Sequence, residues 1–94
     1  MNENLINLFG TFLSGILNKS PLACKGLVRF AIIRYLRIHK LPEEKSISLE
    51  EFHAIVTEII KYDLINANFT NVDSIIEQIK TESNLQKAIF SMSI

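Results

Sequence analysis

The sequence is poor in turn-formers and in cysteine, and that scarcity excludes several kinds of protein before any motif is considered. Three glycines and two prolines in 94 residues leave few places for tight turns. This argues against a many-stranded sandwich and for a small number of long helices. The single cysteine, Cys24, allows no intramolecular disulfide. The opening Met1-Asn2-Glu3-Asn4 lacks the basic stretch of a secretory leader. No apolar run reaches the roughly 18–20 residues of a membrane-spanning helix, because Arg29, Arg34 and Arg37 interrupt the longest candidate. The expectation is a soluble, cytoplasmic chain that does not enter a membrane.

Core material, by contrast, is plentiful. Hydrophobic residues make up 48% of the chain and fifteen residues are isoleucine, which rules against disorder. A chain of this length buries roughly 60–70% of the surface its unfolded form exposes, enough for one domain. Charge sums to zero but is unevenly placed. Residues 1–42 carry six basic groups and one acid, whereas residues 43–94 carry four basic groups and nine acids.

Periodicity predicts an all-α fold: a compact four- to five-helix bundle in a single domain, with helices at about 4–18, 21–40, 49–63, 72–81 and 83–92. In the first, Leu5, Leu8, Phe9, Phe12, Leu13 and Ile16 recur at three- and four-residue spacing. The opposite stripe of Asn4, Asn7, Thr11, Ser14 and Asn18 is polar yet uncharged. It lacks the Lys and Arg of a membrane-surface helix and suits a half-buried or partner-contacting face. Gly10 and Gly15 lie within this helix and are expected to permit close packing. The second helix opens with Ser20-Pro21, an N-cap and first-turn pair, and stops before Leu41-Pro42. It places Cys24, Leu27, Val28, Ala31, Ile32, Tyr35 and Ile38 on one face. Lys25, Arg29, Arg37 and Lys40 form a cationic edge with Arg34 at its border, into which Leu22, Ile33 and Leu36 intrude. The third helix begins with a capping box, Ser48 and Glu51, followed by Phe52, Ile55, Val56, Ile59 and Ile60. A turn at 66–71 leads to a fourth, capped by Thr70 or Asn71 and facing inward with Val72, Ile75, Ile76 and Ile79. The pattern breaks at Thr81-Glu82-Ser83-Asn84 and resumes inward with Leu85, Ala88, Ile89 and Met92.

Little in the sequence suggests catalysis. Cys24 and His39 sit about 22 Å apart on one helix, too far for a nucleophile–base pair. Glu50-Glu51-Phe52-His53 contains one Glu-x-x-His pair. Di-iron bundles need two such pairs and two further glutamates, so no metal or other cofactor is implied. All three glycines fall inside helical patterns, which excludes a Gly-rich phosphate loop. The chain is therefore read as a non-enzyme that works by contact with another protein. The acidic face, Glu50, Glu51 and Glu58 with Asp73 and Glu77, suits a basic partner by charge complementarity. A bacterial immunity or antitoxin-type protein that masks a toxin, such as a nuclease domain, is the concrete expectation. The alternatives are a DNA-binding or regulatory adaptor using Lys25, Arg29, Arg37 and Lys40, and a homodimer built on the Asn4, Asn7, Thr11, Ser14 stripe. Nucleic acid is the weaker partner: the cationic edge offers no polar side chains to read base edges, and zero net charge lacks a binder's electrostatic footprint.

Overall fold

Helices account for all the regular structure in the computed structural model, which describes residues 2–92. The fold is all-α, with four helices and no strand among the described residues. The chain falls into two compact units, Met1–Ser48 and Leu49–Ile94.

The first unit is an antiparallel hairpin of α1 (Glu3–Leu17) and α2 (Pro21–Ile38). Helix α1 closes on Asn18, left-handed with φ 53°, a conformation that asparagine tolerates better than most residues. The Ser14 hydroxyl donates to the Lys19 carbonyl at 2.7 Å and ties down the turn. Ser20 then caps α2 as expected, its Oγ accepting from the Ala23 N–H at 3.1 Å, with Pro21 in the first turn. The buried row of α1 is Ile6, Phe9, Gly10 and Leu13. Leu5, Leu8, Phe12 and Ile16, expected to face the core alongside Phe9 and Leu13, are half-buried flanks. Gly10 accounts for this rotation. A Cβ there would lie 2.8 Å from the Lys25 Cα, so the two backbones are in close approach at this point and α1 turns its glycine toward α2. Gly15 does not share the role, since a Cβ there would meet nothing within 4 Å.

Helix α2 buries Cys24, Val28, Ala31, Ile32, Tyr35 and Leu36. Two expectations are corrected: Leu36 belongs to the core and Ile38 is exposed. The helix also ends at Ile38, earlier than position 40. There the Leu41 N–H donates to the Leu36 carbonyl at 2.8 Å and the Lys40 N–H to the Arg37 carbonyl at 3.1 Å. This is a Schellman closure, with Lys40 left-handed at φ 55°. The following loop is fastened by Asn2. Its Nδ2 donates to the Lys45 carbonyl at 3.0 Å, and its Oδ1 accepts from the Ile47 N–H at 2.8 Å.

The second unit pairs α3 (residues 49–66) with α4 (Val72–Met92). Helix α3 follows Ser48 directly, at the start the capping box gave. It comprises α-helical Leu49–Ile55, a π-helical turn Val56–Ile60 and α-helical Lys61–Asn66. In the π turn the Lys61 N–H reaches back five residues to the Val56 carbonyl. The Thr57 hydroxyl donates to the His53 carbonyl at 3.1 Å and lies 3.2 Å from that of Ala54, the kind of back-bonding that loosens a helical ladder. Helix α3 therefore runs past residue 63 and closes on a second Schellman turn. Here Phe69 N–H donates to the Leu64 carbonyl at 3.1 Å and Asn68 N–H to the Ile65 carbonyl at 3.0 Å.

Helix α4 corrects the expectation of two helices separated near residue 82. It is continuous over 21 residues. Thr81-Glu82-Ser83-Asn84 contains no proline or glycine, and two of its polar side chains, Thr81 and Glu82, bond within the helix. The Thr81 hydroxyl donates to the Glu77 carbonyl at 2.9 Å, and Gln86 Nε2 donates to Glu82 Oε1 at 3.0 Å. Continuity keeps the phase, so the row of Ile75, Ile76 and Ile79 continues inward through Ser83, which is 1% exposed. Leu85, Ala88 and Ile89, expected to face in, lie on the outer side. The Met92 side chain lies outside the described residues.

Candidate interaction surfaces

The acidic residues are spread along the second unit. Glu50 and Glu58 on α3 and Asp73 and Glu77 on α4 are exposed, and Glu51 is half-buried. Glu50 pairs with Lys87 near one end of the hairpin, and Asp73 with Lys61 at 3.6 Å near the other. Asp73 and Lys87 stand about 21 Å apart along α4 at the usual helical rise. Glu77 reaches Lys80 at 3.8 Å, one turn away. Three of the five carboxylates thus have a lysine from their own unit. The pairs remain wet, with the Asp73 side chain 92% exposed, and exposed pairs of this kind contribute about 0–1 kcal/mol. The Lys87 ammonium, hydrogen-bonded to Glu50, holds that carboxyl below its ordinary range.

On the basic edge of α2, Arg29 and Arg37 each meet a carboxylate of the first unit. Arg29 Nη2 donates to Glu3 Oε2 at 3.0 Å and to Oε1 at 3.3 Å. Arg37 lies 3.6 Å from Glu43, and Arg34 Nε donates to the Phe30 carbonyl at 3.5 Å. Lys25 is half-buried where α2 crosses Gly10, while Lys40 is exposed at the helix end. On α1, Asn4, Asn7 and Thr11 are exposed, but half-buried Ser14 is engaged in its turn.

Helix α2 carries Cys24 near its start and ends just before His39, which stacks at 4.3 Å on Tyr35. Burial pushes the Cys24 thiol up, with Lys19 pulling weakly the other way, so the sulfur stays protonated and unreactive. His53 lines a small cleft with Leu49, Glu50, Asn84 and Lys87. The lysine occupies the Glu50 carboxylate, and among the described residues no group of three His, Cys, Asp or Glu side chains gathers.

Periodicity did not single out the exposed apolar side chains as a surface. Leu22 is 81% exposed and Phe30 63% on α2; on α4 Leu85 is 53% exposed and Ile89 47%. Leu22 already stood among charges on the helical projection, a usable signal. The α4 pair was concealed by the assumed break. No helix among the described residues is long and apolar enough to cross a membrane. Comparison with protein-family models, curated proteins and solved structures gives no match for this chain.

Proposed function

We propose that the chain is a protein-binding module of the bacterial immunity or antitoxin type, which masks a basic toxin domain such as a nuclease. The contact is made by Glu50, Glu51, Glu58, Asp73 and Glu77. One observation carries the reading: residues 49–94 hold seven acids against three lysines, and four of the five named carboxylates are exposed. Their lysine contacts are surface pairs that a partner's arginines can displace at little cost, because bidentate guanidinium–carboxylate pairing is the stronger arrangement.

The test is charge reversal. Glu50→Lys, Glu51→Lys and Glu58→Lys together are expected to abolish capture of a stoichiometric basic polypeptide from the native cell, and to abolish relief of that polypeptide's toxicity on co-expression. The fold is expected to survive. Capture and relief that persist in the triple variant would remove the acidic face from consideration.

A second reading, a nucleic-acid adaptor using Lys25, Arg29, Arg37 and Lys40, is favoured by the seven basic groups against three acids in residues 1–48. The carboxylates already on Arg29 and Arg37 weigh against it. Duplex binding that persists at physiological salt would restore it.

A further inference from the structure

We propose that the outer row of α3 is the docking face for a basic partner, with Tyr62 and Ile65 as its apolar anchors beside the carboxylates of Glu50 and Glu58. The proposal rests on the function proposed above and adds the other half of the contact. The partner it fits is a polypeptide surface that sets apolar side chains among its arginines or lysines.

The π turn builds this row. Glu50, Ala54, Glu58 and Tyr62 stand four residues apart. On a regular helix such a series drifts about 40° at each step, about 120° in all, and Tyr62 would lie well around the helix from Glu50. The turn at Val56–Ile60 instead closes across five residues, from the Lys61 N–H to the Val56 carbonyl. It takes up one residue more than an α turn, which returns about 100° of the drift. The row then runs nearly parallel to the helix axis. Glu50, Glu58 and Tyr62 are exposed and Ala54 is half-buried. The inner side shows the same straightening: Phe52, Val56, Ile60 and Leu64, also four apart, are all fully buried. Ile65 follows Tyr62 by three residues and is its neighbour on the helix surface.

Chemistry along the row selects the partner. Tyr62 is 57% exposed and Ile65 45%. A tyrosine ring with a polar tip, set beside an aliphatic side chain and rimmed by charge, has the composition of an interface hot spot. Residues 49–66 carry four acids, Glu50, Glu51, Glu58 and Asp63, against one lysine, Lys61, and that lysine lies 3.6 Å from Asp73. Glu58, one turn from Tyr62, has no ion pair among the described residues. A second copy presenting the same row would set acid against acid, so the row fits a basic surface and not its own kind.

The test is calorimetric titration of the full chain with two synthetic peptides of equal length and charge. One alternates arginine with leucine, the other arginine with serine. The parent is expected to bind the leucine peptide about ten-fold more tightly than the serine peptide. Tyr62→Ala combined with Ile65→Ser is expected to erase that margin and to leave the serine peptide's affinity unchanged, with helicity retained because both positions are exposed. Should the double variant fail to fold, Tyr62→Ser alone serves in its place. Tyr62→Phe keeps the ring and is expected to keep the margin. Leu22→Ser, which removes a more exposed apolar residue from α2, is expected to keep it too. A margin that survives the loss of Tyr62 and Ile65, one that is also lost in Leu22→Ser, or a parent without a margin would each overturn the anchors and leave the charge contact standing. The acidic face fails separately, if Glu50→Lys, Glu51→Lys and Glu58→Lys together leave the serine peptide's affinity unchanged, and the anchors fall with it. A parent that sediments as a dimer broken by Tyr62→Ala would seat a second copy on the row and overturn the proposal.

Discussion

A single carbon added at Gly10 would have to share space with the backbone of Lys25, whose Cα lies 2.8 Å from where that carbon would stand. Gly10→Ala is therefore expected to cost about 1–3 kcal/mol, as overpacking does. Gly15→Ala, in open space on the same helix, is expected to gain about 0.5–1 kcal/mol from helix propensity. Urea unfolding of the pair of variants measures both, and shifts of the same sign would show that α1 and α2 do not meet at Gly10. Glu50 offers a residue-scale test by titration. Its folded pKa is lowered by Lys87, so the pair's contribution is present above the ordinary carboxylate range. It is lost as pH falls through the lowered folded value. Lys87→Ala is expected to move the Glu50 carboxyl titration, followed by NMR, upward toward the ordinary range, the backbone hydrogen bond to the carboxylate remaining. An unmoved titration would mean the ion pair does not form in solution.

Among the elements, those written in local chemistry were legible and those that depend on distant groups were not. Ser20-Pro21 and Ser48 marked the starts of α2 and α3 because a cap acts within one turn. The Asn2 clasp joins residues more than forty positions apart and leaves no periodic trace. The π turn was invisible for another reason: Phe52, Ile55, Val56, Ile59 and Ile60 keep their spacing whether the ladder reaches back four residues or five. At 81–84 the same Ser and Thr that cap helices were read as a break, and a hydroxyl bonded to the preceding turn reverses that meaning. Of the surfaces, the charged residues were legible but their partners were not. Sequence position does not show that Arg29 meets Glu3. The closure of α2 gives an element-scale prediction. Lys40 occupies a left-handed position, φ 55°, that glycine adopts without penalty. Lys40→Gly is expected to raise stability by about 0.5–1 kcal/mol. A fall in the urea midpoint would mean that the lysine side chain itself supports the turn.

On the scale of the whole molecule, a net charge of zero conceals two oppositely charged halves. Long-range repulsion between copies is then weak, and association is favoured when opposite halves meet.

The π turn has a consequence in time. Its ladder is poorer than that of the helix on either side, yet Val56, Ile59 and Ile60 within it are buried. Burial shields these amides from water, while the weaker hydrogen bonds let the segment open without unfolding its neighbours. Hydrogen exchange in the native state is expected to divide α3 into separate clocks: Val56–Ile60 exchanging through small, frequent openings, and Leu49–Ile55 and Lys61–Asn66 each keeping slower time of its own.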